Sequence, residues 1–311
     1  MAPYVVCMTQ IIEPSPPIAV TPPIAVTPPV AVTGATGAQG GATARALLRA
    51  GRPVRALTRE PGSPAAAELA ALGADVVRAD FDDPASLAPA LHGAGALFAM
   101  STPFGTDPDA EVRQATALLD AARAVGSVRH VVYTSATNAD RSTGIPHFDS
   151  KYRVERHLTG LGLPWTVLGP AAFMDNYAND WTLQSLRDGV FHLPMPPGVP
   201  LPVIAADTIG AFAAHVLARP EVYAGRRIDI ASQWRTGEQI AAAITAASGR
   251  PIRCVEVPLS VVAGYSEDLA TMFRYFQEPG LTIDTGALHA EHPEIDWQPL
   301  ETWAAARTWD L

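Results

Sequence analysis

The chain is poor in several features that mark whole classes of protein. It has two cysteines, Cys7 and Cys254. Two are too few for a disulfide framework, and they have no metal-ligand spacing, so no metal is expected and a reducing, cytoplasmic setting fits best. Basic residues are outnumbered, with 22 Lys and Arg against 31 Asp and Glu and a net charge of −9. A phosphate backbone calls for a basic stripe, so no nucleic-acid partner is expected. No window approaches the roughly 18 uninterrupted apolar residues of a membrane span. The opening "MAPYVVCMTQIIEPSPP" has no Lys or Arg ahead of an apolar run and reads poorly as a signal peptide.

Hydrophobic residues make up 48% of the 311 positions, enough for one large domain or a core domain with a lobe. A hexapeptide occurs three times, as PPIAVT, PPIAVT and PPVAVT, ending at Thr33. Pro-Pro pairs donate no ladder hydrogen bonds, and no residues remain between copies for turns. Only the third copy, Val30-Ala31-Val32-Thr33, runs into a glycine loop, so it is read as the first strand. Residues 1–29 are then a mobile Pro-rich extension.

From there strand-like and helix-like segments alternate: "PVRALTR", "ADVVRAD", "ALFAMS", "VRHVVYTSA" and "PWTVLGPAAF" as strands, with amphipathic or alanine-rich stretches between them. A helix is expected over about 148–161. Such alternation implies right-handed βαβ units and a parallel sheet with helices on both faces. Beyond about residue 175 the rhythm loosens. "HLPMPPGVPLPVI" reads as loop and short strands, followed by a helix from Asp207-Thr208, a strand "RRIDIAS", a helix "TGEQIAAAITAASG", a strand "IRCVEVP" and two final helices. The fold class is therefore α/β: a doubly wound parallel sheet over 30–175, and a smaller mixed α/β lobe over 176–311, partly interleaved with it.

Gly34-Ala35-Thr36-Gly37-Ala38-Gln39-Gly40 follows a strand and opens a helix. Glycines there permit a tight turn and close approach of backbone to a pyrophosphate, which the helix N-terminus favours. The context makes this a dinucleotide site of Rossmann type. The second strand ends Thr58-Arg59, with a guanidinium where an NAD-preferring site has an acid. Arg59 suits a ribose 2′-phosphate, so NADP(H) is favoured over NAD(H), although Glu60 follows at once. Later strand ends nominate Asp80 and Phe81 for the adenine side, and Met100, Ser101 and Thr102 near the centre.

With "VTGATGAQGG", "ALTRE", "HFDSK" and "MFRYF" placed, the chain resembles the NmrA-like branch of the short-chain dehydrogenase/reductase superfamily over about residues 30–300. The resemblance implies an NADP(H)-binding Rossmann domain with a small lobe over the nicotinamide. Members include reductases of quinones, enones and aromatic heterocycles, and nucleotide-sensing regulators. The superfamily's Tyr-x-x-x-Lys is here His147-Phe148-Asp149-Ser150-Lys151, with histidine in place of the proton-donating tyrosine. Lys151 would hold the nicotinamide ribose and set positive charge beside a developing oxyanion. His147 is either a general acid, contributing roughly 10² to 10⁴, or a helix-start residue without chemistry. Ser135 stands where the superfamily has its catalytic serine. Pro170 and Phe173 would reach the nicotinamide's other face, and Phe104, Met174, Asn176, Tyr177, Phe191 and Met195 would wall the substrate pocket.

Without the tyrosine, products that need no strong proton donor are favoured. The reading is an NADPH-dependent reductase of a quinone-like or polycyclic hydroxy-aromatic ketone. The Ala-, Arg- and Pro-heavy wording suggests a setting in aromatic polyketide tailoring. The alternative is a catalytically silent NADP(H) sensor that acts through protein partners. Nothing in the sequence sets the oligomeric state.

Overall fold

The protein is described from a computed structural model covering residues 27–102 and 107–311. The first hexapeptide copy, the second up to Val26, most of the expected N-terminal extension, and Phe104 lie outside these residues.

The first half runs β1 (Val30–Val32), α1 (Ala38–Arg49), β2 (Val54–Thr58), α2 (Pro64–Ala71), β3 (Asp75–Arg78), α3 (Leu87–Leu91), β4 (Ala96–Met100), α4 (Pro108–Ala124), β5 (Val131–Thr134), α5 (Pro146–Gly160) and β6 (Trp165–Pro170). Helix α5 starts at Pro146 because a proline, with its fixed φ and missing N–H, is suited to a first helical turn. The second half runs β7 (Ala172–Phe173), α6 (Asp180–Arg187), β8 (Val190–Leu193), β9 (Pro200–Ile204), α7 (Ala206–Leu217), α8 (Pro220–Tyr223), β10 (Arg226–Ile230), β11 (Gln233–Thr236), α9 (Gly237–Ser248), β12 (Arg253–Glu256), α10 (Leu259–Ala263), α11 (Glu267–Gln277), α12 (Thr285–Glu291) and α13 (Leu300–Ala305). The Gln-Trp-Arg-Thr of β11 shows no apolar alternation, and the sequence pattern does not predict it.

Among the described residues, seven parallel strands form one sheet in the order β10-β6-β5-β4-β1-β2-β3. The strand order reverses between β1 and β4, and a ligand crevice is expected at the carboxyl ends there. Strand alternation sorts the side chains. Val30 and Val32 join Phe98 and Val132 under α1 and α7, while Ala31 joins Leu97, Val131 and Tyr133 under α3, α4 and α5. Both faces are covered, as a parallel sheet requires. Residues beyond 175 thus supply an edge strand and a covering helix to the large sheet.

Helices α1 and α7 meet at Gly210, where a Cβ would overlap the backbone of Ala42 and Thr43. Gly210→Ala is expected to cost about 1–3 kcal/mol by overpacking. Urea unfolding measures this, and an unchanged midpoint would show that the helices can separate freely.

The lobe holds two small sheets, β11-β9-β7 and β12-β8. Its core gathers Phe191, Met195, Val203, Ile240, Ile244 and Trp303.

Candidate functional site

The glycine loop sits at the reversal of strand order. Gly34 has φ of 58°, and a Cβ on it would overlap the Met100 sulfur. A Cβ on Gly40 would overlap the carbonyls of Thr33 and Gly34, so this glycine lets α1 start hard against β1. Helix α1 has Gly37 as its N-cap, with no side-chain cap and no acid in its first turn. Its N-terminal dipole is therefore left for an anion. Thr36 and Ala38 are exposed beside it. Gln39 is turned to the sheet, where Thr134 Oγ1 donates to its Oε1 at 2.7 Å. Thr134, which the sequence reading passed over, thus joins the loop to the end of β5. Loop and helix fit a dinucleotide pyrophosphate.

Arg59 is exposed at the end of β2 and has no hydrogen-bond or ion-pair partner among the described residues. Glu60 turns its backbone N–H onto Thr58 Oγ1 at 3.2 Å. Asp80 is partly held: Arg78 reaches its carboxylate at 3.5 Å and Asp82 N–H donates to it at 3.1 Å. Phe81 packs half-buried against the core under α3. Thr102 is exposed at the end of the β4 segment.

Lys151, the chain's one lysine, is the centre of a polar cluster. Its Nζ donates to Glu111 Oε1 at 2.8 Å and to the Ser101 carbonyl at 3.0 Å. Glu111 is 0% exposed. It also accepts from Ser101 Oγ at 2.9 Å and from Ser150 Oγ. Ser101 Oγ and the Tyr133 hydroxyl are 3.0 Å apart. Burial, with the Glu111 charge adding to it, pushes the Tyr133 phenol well up, so it stays a neutral hydroxyl and does not replace the missing tyrosinate. Sequence reasoning missed Glu111, although a signal was there. It lies on the stripe of α4 that continues through Ala115, Leu118, Leu119 and Ala122, and an acid on an apolar stripe calls for a buried partner.

His147 is one turn before Lys151 on the same face of α5. Its ring is buried, edge-on to Phe148 with centroids 4.9 Å apart. Its Nδ1 lies 2.5 Å from Asp268 Oδ1 on α11.

Several nominated residues have other partners. Ser135 is buried and donates to Glu155, which also takes Arg227 Nε at 3.0 Å. Burial raises the Glu155 pKa while Arg227 opposes it. The Ser135 hydroxyl thus sits inside a polar cluster on the α5 side of the sheet. Met174, Tyr177, Phe191 and Met195 are at most 6% exposed. Tyr177 packs edge-on to Phe191 at 5.3 Å and to Trp303 at 6.2 Å. These four pack in one buried cluster with Ile240, Ile244 and Trp303. Phe173 is half-buried, Asn176 is exposed, and Pro170 closes β6 with its carbonyl accepting from Thr137 N–H at 3.2 Å.

Among the described residues, His215, His292 and Glu294 bring ligand-type atoms within 4.8 Å of one another. Arg219 donates to His215 Nδ1 at 2.6 Å, which puts the ring proton on Nε2, facing Glu294 Oε1 at 2.7 Å. That nitrogen has no lone pair for a cation, and the group reads as a hydrogen-bond network.

The strand order, the glycine turn at its reversal and the lysine on α5 define a Rossmann-type protein of the short-chain dehydrogenase/reductase kind. The chain belongs to the NmrA-like family, whose model matches residues 27–304. It is 31% identical over 227 residues to an NAD(P)H azoreductase from Xenophilus azovorans, covering 72% of this chain and 75% of that one. The triphenylmethane reductase of Citrobacter sp., solved with NADP(H), is 25% identical with a TM-score of 0.72, covering 89% of this chain and 98% of its own. An NADPH-dependent quinone oxidoreductase from Escherichia coli, solved with NADPH, is 25% identical with a TM-score of 0.73 over the same shares. No helix of the described residues is long and apolar enough to cross a membrane.

Proposed function

We propose that this protein is an NADPH-dependent reductase that transfers hydride to a quinone-like or polycyclic hydroxy-aromatic ketone, of the kind found in aromatic polyketides. The observation that carries the reading is the Lys151 amine, fixed by buried Glu111 and the Ser101 carbonyl at the carboxyl end of β4. A cation held there is suited to a cofactor ribose and to an oxyanion forming nearby. The relatives support the reading from another side. Azo compounds, triphenylmethane dyes and quinones, the substrates their names give, are all conjugated electrophiles.

The residues divide the work. Gly34, Gly37 and Gly40 admit the pyrophosphate to the N-terminus of α1, and Arg59 pairs with a 2′-phosphate. When bound, the nicotinamide supplies a hydride with its electron pair to the electrophilic carbon. Lys151 stabilises the charge that appears on the product oxygen. His147 or water supplies the proton, which a hydroquinone anion of moderate basicity demands only weakly.

Purified protein mixed with NADPH and a panel of naphthoquinones and hydroxyanthraquinones should oxidise NADPH, and should do so faster than NADH. Lys151→Met keeps the side-chain stem and should abolish turnover while NADPH still binds. Tight NADPH binding without oxidation across the panel would overturn the reductase reading in favour of a nucleotide sensor.

A further inference from the structure

We infer that the open cleft between the β5–α5 loop and the segment joining α11 to α12 is a second binding site, for a planar aromatic carboxylate. Its volume is about 730 Å³, a size usual for small-molecule sites. It contains none of the residues given above to the nucleotide or to Lys151, and the inference does not depend on the reductase reading. Three parts of the chain build it. Arg141 comes from the β5–α5 loop, Trp234 from β11 of the lobe, and residues 281–285 from the joining segment.

Hydrogen bonds hold these parts together. Asn138, buried with φ of 60°, accepts the Thr282 N–H on Oδ1 at 2.7 Å and donates from Nδ2 to the Thr282 carbonyl at 3.0 Å. Trp234 Nε1–H donates to the Ile283 carbonyl at 3.3 Å. The indole is thereby fixed by its polar edge, and the half-buried ring offers the cleft a rigid hydrocarbon surface.

The charge available in the cleft follows from what each group is already paired with. Arg141 is exposed and donates to the Thr282 hydroxyl, a neutral acceptor; it has no carboxylate partner among the described residues. The acid beside it in sequence, Asp140, lies 3.5 Å from Arg227 instead. Asp284, the acid of the cleft itself, accepts the Ala287 N–H at 2.9 Å. That carboxylate is engaged, whereas most of the Arg141 N–H donors are left over. A guanidinium beside an indole suits a carboxylate on a flat ring. The N–H fork takes both oxygens and the indole covers the ring.

Isothermal titration of the full chain with 2-naphthoate tests the site. One naphthoate should bind per chain with a Kd of about 1 mM or tighter, and excess NADPH should leave its affinity unchanged. The methyl ester keeps the rings but lacks the charge, and should bind at least about 10-fold more weakly. That comparison needs no variant. Arg141→Gln should weaken naphthoate by a similar factor. Arg141→Lys should recover only part of it, because an ammonium does not present the planar fork. Trp234→Leu should weaken acid and ester alike. Displacement of naphthoate by NADPH, or full affinity in Arg141→Gln, would place the anion elsewhere and overturn the assignment. Equal affinity for acid and ester, or no saturable binding below about 1 mM, would overturn the carboxylate as the ligand of this cleft.

Discussion

Glu111→Ala is expected to destabilise the protein by about 3–5 kcal/mol, the usual consequence of stranding one partner of a buried ion pair. Glu111 is fully buried, and its Lys151 partner has a side chain only 12% exposed. Loss of the carboxylate leaves the ammonium with the Ser101 carbonyl alone, and takes the acceptor from the Ser101 and Ser150 hydroxyls. Turnover should fall as well, since the Ser101 carbonyl would then hold the amine alone at the end of β4. Unfolding in urea measures the stability, and a double-mutant cycle with Lys151→Met identifies the cause. If the uncompensated charge is what costs, the double variant should be more stable than Glu111→Ala. A double variant that loses the sum of both single effects would show that the two side chains are not coupled.

The second large effect is expected at Arg59. Its guanidinium is exposed at the end of β2, with no hydrogen-bond or ion-pair partner among the described residues. Hydrogen bonds to a charged group contribute about 1.5–3 kcal/mol. Arg59→Glu removes that attraction and adds repulsion, so NADPH affinity should fall by at least about 100-fold. NADH carries no 2′-phosphate and should bind as well as before or better, because an acid at this position suits the ribose hydroxyls. Titrating both nucleotides at one fixed ionic strength reads the difference. Parallel loss for the two would place Arg59 outside the 2′-phosphate site.

Much of the fold was legible because burial writes itself into local patterns. Strands buried on both faces, such as Ala96–Met100, are short apolar runs, and the helices between them show a one-sided stripe. Gly34 could be singled out because a positive φ at a strand-to-helix turn is a local demand. Lys151 and His147 were singled out through the resemblance of His147-Phe148-Asp149-Ser150-Lys151 to the superfamily's Tyr-x-x-x-Lys.

Other features had no such signature. Tyr177, Phe191 and Met195 were read as pocket wall, but local pattern does not distinguish an aromatic that lines a cavity from one that fills a core. Ser135 was placed beside the substrate by its position after β5. Only the tertiary structure showed that its hydroxyl donates to Glu155, which also takes Arg227.

The sequence by itself determined the alternation of strand and helix, the glycine turn, and the residue types at the site, because each depends on neighbours within a few positions. Tertiary structure alone decided that Glu111 pairs with Lys151 across 40 positions and that Asp268 reaches His147 across 121. A polar side chain's role is set by what lies within about 3 Å of it. In this fold those atoms belong to other helices, brought there by the burial of apolar faces elsewhere.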